Sequence, residues 1–126
     1  MAEWQWFVTM TFRDVRPTQG NWTRPGWAYA SRAWSEFTGF VRPAVGALVW
    51  VRAFELQVDR GVPHIHALVG GLDSVRWRPA ADWLWKRYGF NRILEYDPEL
   101  GASHYISKYV VKELGDFAFS DSLHAQ

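Results

Sequence analysis

The sequence contains no cysteine and no long apolar run, and only three of its 14 Lys and Arg residues are lysines. Because cysteine is absent, the chain has no disulfide, no thiolate metal site and no cysteine nucleophile. No stretch reaches the roughly 18 apolar residues that a membrane-spanning helix needs. Residues 1–4 also lack the basic region of a secretory signal. We therefore expect a cytoplasmic protein with no membrane partner.

The residues that are abundant indicate a globular domain that binds nucleic acid. Apolar residues make up 48% of the 126 positions and aromatic residues 17%, which is enough for a buried core. We expect a single domain over residues 1–126, with its core at about 4–115 and a tail over 116–126. Arginine forks bind phosphates and aromatic rings stack on unpaired bases. The net charge of +1, however, is small for a nucleic-acid-binding protein.

Apolar periodicity predicts an α+β fold. We expect strands over residues 4–12, 47–58, 62–69 and 90–96, and helices over residues 26–42, 78–88 and 99–114. In the first strand the even positions are apolar, while Thr9 and Thr11 lie on the other face. The order β-α-β-β-α-β-α is typical of a mostly antiparallel sheet with helices packed on it, as in ferredoxin-like folds.

Two histidines in the third predicted strand form a candidate metal site. His64 and His66 are two residues apart and therefore point to the same face of the sheet. If residues 60–61 form a two-residue turn, Glu55 falls opposite His66 and Gln57 opposite His64. Two imidazoles and a carboxylate suit Mg²⁺ or Mn²⁺ acting as a Lewis acid on phosphate. The alternative is a pair of half-exposed histidines with no ligand.

The helix predicted over residues 99–114 carries two candidate nucleophiles. At 100° per residue, Tyr105, Tyr109, Lys108 and Lys112 share one narrow stripe, and the apolar residues occupy the opposite arc. Each tyrosine is followed three residues later by a lysine, which can lower the pKa of a phenol and hold a phosphate. Such a tyrosine is suited to attack a phosphodiester. The alternative is an ordinary solvent-facing stripe.

Taken together, these residues resemble the HUH endonucleases, and among them the rolling-circle replication initiators of phages and plasmids. Residues 7–12 (Phe-Val-Thr-Met-Thr-Phe) are similar to the first motif of that family, F-x-T-x-T. Glu55 and residues 60–66 are similar to its metal motif, and residues 105–112 to its nucleophile motif. Residues 85–93 are also similar to these initiators, so that the resemblance spans nearly the whole chain.

The resemblance implies an enzyme that nicks and rejoins single-stranded DNA through a 5′-phosphotyrosine intermediate. It implies Tyr105 and Tyr109 as two nucleophiles, of which we favour Tyr109 as the primary one, and Lys108 and Lys112 as phosphate contacts. Both tyrosines fit the Tyr-x-x-Lys pattern, so the sequence alone does not choose between them. The family further implies rolling-circle replication of a plasmid or phage in a bacterial or archaeal host cell.

The metal motif implies that Glu55, His64 and His66 hold a divalent ion, Mg²⁺ or Mn²⁺, with Thr9 and Thr11 nearby. Gln57 is expected to lie next to these ligands without binding the ion itself. Candidate contacts to DNA bases lie in and after the first long loop: Arg16, Trp22, Arg24 and Trp27. The expected partners are a single-stranded origin or stem-loop and a helicase encoded by the host or the element. The chain is expected to be a nuclease-only protein or an excised nuclease domain.

Three other functions compete with this interpretation. A small HUH transposase uses the same chemistry but usually carries one tyrosine. A histidine-triad nucleotide hydrolase needs a third histidine at position 68, where the chain has Leu68. A non-catalytic ferredoxin-like module that binds nucleic acid would leave the alignment of Glu55 with His64 and His66 unexplained.

Overall fold

Five strands and two helices make up the described part of the chain. The computed structural model describes residues 4–13, 26–45, 48–56, 62–72, 74–102, 104–105 and 117–120. The elements are, in chain order, β1 (Trp4–Met10), α1 (Trp27–Val45), β2 (Val49–Leu56), β3 (Pro63–Gly70), α2 (Ser74–Trp85), β4 (Asn91–Glu95) and β5 (Phe117–Phe119). Neither of the two described helices has the length and apolar content of a membrane-spanning helix.

The strands form one sheet with the order β4-β1-β3-β2-β5, in which every neighbouring pair is antiparallel. The first four strands and two helices follow the ferredoxin-like order, so the predicted α+β fold is confirmed. Of the helix predicted over residues 99–114, Ala102, His104 and Tyr105 are helical and residues 106–114 lie outside the described residues. Residues 117–119 were predicted as tail, but they pair with β2 and extend the sheet.

The core lies between the two helices and one face of the sheet. In β1 the even residues Trp6, Val8 and Met10 are buried beneath the helices, as their alternation predicts. Three tryptophans from α1 and α2, which are Trp34, Trp77 and Trp85, fill the space above them. Packing thus accounts for four of the nine tryptophans. The opposite face of the sheet carries Thr9, Glu55 and the two histidines beside apolar residues such as Val51 and Leu68.

Helix α2 begins four residues before its predicted start and ends three residues before its predicted end. Pro79 is the sixth residue of this helix. At Gly89, shortly after the helix, a β-carbon would clash with the backbone carbonyl oxygen of Thr11. The segment after α2 is thereby held tightly against the end of β1.

The register of the β2–β3 hairpin differs from the predicted one by two residues. Glu55 lies directly opposite His64, and Ala53 lies opposite His66. The prediction assumed a two-residue turn, whereas β2 ends at Leu56 and β3 begins at Pro63. Pro63 is the first residue of β3, where a proline removes no interior ladder bond. A shift of two residues keeps every side chain on its predicted face.

Candidate metal and nucleophile site

The candidate residues lie together on the face of the sheet opposite α1 and α2. Thr9 on β1 and Ala53 on β2 flank His66 on β3 as its direct cross-strand partners. Glu55 and His64 form the next row on the β2–β3 side. Because side chains alternate along each strand, Thr9, Glu55 and both histidines lie on this one face.

His66 occupies the centre of the site and is almost completely buried, with 9% of its surface exposed. Its Nδ1 lies 3.2 Å from Oγ1 of Thr9. When Nδ1–H donates to this hydroxyl oxygen, Nε2 carries the lone pair that a metal ion or a proton donor would use. The threonine hydroxyl therefore helps to fix the orientation of the ring.

Glu55 and His64 complete a set of one carboxylate and two imidazoles. Oε1 of Glu55 lies 4.0 Å from Nε2 of His66. The rings of His64 and His66 are 6.1 Å apart at their centroids, with 62° between their planes. As placed, no three His, Asp or Glu side chains among the described residues are close enough to share an ion. The site is thus a loose cluster with the ligand chemistry of a divalent cation.

An aromatic row links this cluster to Tyr105. The ring of Phe7 stacks on His66, with centroids 6.0 Å apart and 11° between the planes. On its other side Phe7 contacts Tyr105 at 4.9 Å, and Tyr105 also packs against Tyr96 at 5.3 Å. The Tyr105 hydroxyl accepts a hydrogen bond of 3.0 Å from the backbone N–H of Asp97. Tyr105 is thus held beside the histidines with Phe7 between them.

The remaining predicted site residues are less close to this cluster or lie outside the described residues. Thr11 donates its hydroxyl to the carbonyl oxygen of Phe90 at 3.1 Å. Trp27 begins α1 and stacks on Phe54 at 5.6 Å, on the helix side of the sheet. The structure therefore does not place Trp27 with the histidines. The predicted residues outside the described residues are Arg16, Trp22, Arg24, Gln57, Lys108, Tyr109 and Lys112.

Two residues near the site were not singled out from the sequence. Phe7 is the one apolar residue among positions 5, 7, 9 and 11. This exception to the alternation could have indicated that Phe7 packs against another side chain on the polar face. Arg92 lies opposite Thr9 on the other side of β1, and so belongs to the same row as His66. No short-range pattern marks Arg92, because its position depends on the pairing of β1 with β4.

Comparison with known proteins gives one family. The family model of the replication-associated protein ORF2 matches residues 5–114, which include all of β2 to β4, nearly all of β1 and the Tyr105 segment. No curated protein and no solved structure matches the chain.

Proposed function

The chain belongs to the replication-associated protein ORF2 family, which indicates a role in the initiation of replication, and from this premise we propose that it is a metal-dependent single-stranded DNA endonuclease and strand transferase. It nicks and rejoins a DNA strand through a 5′-phosphotyrosine intermediate, and so starts rolling-circle replication of a plasmid or phage. The observation that carries the proposal is the grouping of Glu55, His64 and His66 on the face of the sheet opposite α1 and α2, beside Tyr105.

The ligand set fits a divalent cation such as Mg²⁺ or Mn²⁺. Two ligands that each lie about 2.1 Å from a shared ion are separated by roughly 3 to 3.5 Å. The 4.0 Å between Oε1 of Glu55 and Nε2 of His66 is longer, so that binding the ion would require the ligand side chains to move closer together. Glu55, His64 and His66 would hold the ion, which when bound polarises the scissile phosphate.

The protein side chains carry the remaining chemistry. A tyrosine oxygen forms a bond to the phosphorus while the bond from phosphorus to the 3′ oxygen breaks. The leaving oxygen takes up a proton and becomes a free 3′-OH, and the reverse reaction rejoins the strand. Lys108 and Lys112 are proposed to contact the phosphate and to favour the tyrosinate.

Of the two tyrosines, we propose Tyr109 as the primary nucleophile and Tyr105 as the second. The contacts of Tyr105 support this order. Its hydroxyl accepts a hydrogen bond from the backbone of Asp97, and its ring packs between Phe7 and Tyr96. These contacts hold the phenol in place, and the hydrogen bond occupies one of the two lone pairs of its oxygen.

Covalent capture tests the proposal. The protein is incubated with Mn²⁺ and a pool of 3′-labelled single strands with randomised hairpin loops, and adducts are read on a denaturing gel. Tyr109→Phe is expected to abolish the adduct, and Tyr105→Phe to retain it. His64→Ala should abolish the adduct at an unchanged melting temperature. DNA binding without any adduct in the wild type would instead favour a non-catalytic module.

A further inference from the structure

A cleft separate from the histidine cluster opens between α2 and the edge strand β4. Its volume is about 520 Å³, and it is lined by Arg78, Pro79, Asp82, Asn91, Arg92 and Ile93. None of these residues holds a role in the proposed nicking reaction. The cleft combines two arginines with the exposed edge of the sheet.

The segment that builds this cleft holds a concentration of positive charge. Residues 76–92 contain five exposed cations and one acid, Asp82, and so carry a net charge of +4 in a chain whose total is +1. Both carboxylate oxygens of Asp82 are engaged by other side chains. Oδ1 accepts from Asn91 at 3.2 Å, and Oδ2 lies 3.7 Å from Nζ of Lys86. The two arginines of the cleft are thus suited to a polyanion.

Arg92 connects the cleft to the face that carries the histidines. It lies directly opposite Thr9 on β1, and Thr9 lies directly opposite His66 on β3. Two strand spacings separate Arg92 from His66, which is about 10 Å along the row. Arg92 thus lines the cleft and also belongs to the row of Thr9 and His66.

Phe90 adds an aromatic surface next to Arg92. The hydrogen bond of 2.8 Å from the N–H of Thr11 to the carbonyl oxygen of Phe90 continues the β1–β4 pairing beyond Asn91. Since Phe90 precedes Arg92 by two residues, the two side chains lie on the same face. The phenylalanine is 69% exposed. An exposed ring beside a cation is the usual platform for an unpaired base.

We propose that this α2–β4 cleft, together with Phe90, binds single-stranded DNA next to the position of cleavage. Arg78 and Arg92 contact backbone phosphates, and Phe90 stacks on one base. The inference rests on the proposed function in that it takes DNA as the ligand. A single strand is favoured over a duplex because the bases of a duplex are already stacked on one another and do not present a face to Phe90.

Binding is measured by fluorescence anisotropy with a labelled oligothymidylate in the presence of EDTA, over a series of salt concentrations. For Arg78→Ala and for Arg92→Ala, the slope of log affinity against log salt is expected to fall by about 0.7 each. For Phe90→Leu, affinity is expected to fall about fivefold or more with no change in the slope. The matched control is Arg42→Ala, an exposed arginine of α1 on the helix side, which is expected to bind as the wild type does.

Wild-type affinity and slope in the Arg78, Arg92 and Phe90 variants would overturn the proposal, as would equal affinity for a blunt duplex. Because EDTA removes the metal, these affinities do not depend on nicking. If the variants lose binding while the wild type forms no adduct with Mn²⁺, the cleft stands and the proposed endonuclease fails. If the variants bind and form adducts normally, the endonuclease stands and the cleft proposal fails.

Discussion

Thr9 and His66 are direct cross-strand partners on β1 and β3, and Oγ1 of the threonine lies 3.2 Å from Nδ1 of the imidazole. Nε2 of the same ring lies 4.0 Å from Oε1 of Glu55. The hydroxyl of Thr9 therefore orients the His66 imidazole, which Glu55 faces from the other side. This makes the threonine a positioning residue whose effect can be separated from that of the ligands themselves.

Removing this hydroxyl is expected to weaken the proposed activity without loosening the fold. Thr9→Val keeps the β-branched shape and deletes the hydrogen bond to His66. Loss of such a bond to a metal ligand typically costs about 10- to 100-fold in metal affinity or activity. The Mn²⁺ concentration for half-maximal adduct formation should rise by that factor. Thr11→Val is the control, since its hydroxyl bonds to the carbonyl of Phe90 instead.

Replacing the candidate carboxylate ligand should have a larger effect. Glu55→Gln retains the size of the side chain but removes its negative charge, and a neutral amide is a much poorer ligand for Mg²⁺ or Mn²⁺. We expect the Mn²⁺ requirement to rise by more than about 100-fold, a loss greater than that of a hydrogen bond to a ligand. Glu95→Gln, at an exposed position of β4, should leave it unchanged. An equal response of the two variants would remove Glu55 from the site.

Two glycine-to-alanine changes should have opposite effects on stability. At Gly89 a β-carbon would clash with the backbone of Thr11, so the alanine is expected to cost about 1–3 kcal/mol of unfolding free energy. At Gly39, within α1, a β-carbon meets nothing within 4 Å. There alanine should stabilise the protein by about 0.5–1 kcal/mol through its helix propensity. Urea unfolding measures both, and stabilisation of Gly89→Ala would contradict the close approach.

The sequence predicted the order of the first four strands and two helices and the faces of the sheet, because these depend on local periodicity. The alternation in β1 separates Trp6, Val8 and Met10 from Thr9, and the structure keeps that separation. The register of the β2–β3 hairpin was wrong, since it depends on the length of a connection that periodicity does not specify. Each side chain still lies on its predicted face, because the register differs by an even number of residues.

The parts of the site that depend on non-local pairing could not be derived from the sequence. Arg92 reaches the row of Thr9 and His66 only because β4 pairs with β1, and that pairing joins residues far apart in the chain. The number of cations in residues 76–92 can be counted from the sequence. That Arg78 and Arg92 line the same cleft depends on the packing of α2 against β4. The net charge of +1 is small for a nucleic-acid-binding protein, whereas residues 76–92 alone carry a net charge of +4.

Tyr88 gives a test of the packing that surrounds the end of α2. Its hydroxyl donates a hydrogen bond of 2.8 Å to Oε2 of Glu36, and its ring packs against Trp85 at 4.9 Å. Burial of the phenol, with the hydrogen bond to Glu36 and the negative charge of Glu36 adding to it, raises the pKa of Tyr88 to about 12 from the usual 10.0. The folded state therefore favours the neutral phenol more than the unfolded state does.

The stabilising effect of this raised pKa is complete below pH 10.0, the unfolded value, and is lost as the pH rises through about 12. Tyr88→Phe should lower the unfolding free energy by about 1 kcal/mol below pH 10.0, because it deletes the bond to Glu36. The difference between wild type and variant should shrink as the pH rises above 10.0, since Tyr88 of the unfolded chain ionises there while the folded state still holds the proton. Urea unfolding over this pH range measures the difference, and ultraviolet absorbance follows the tyrosinate. A difference that stays constant through pH 12 would show that Tyr88 does not titrate with the raised pKa.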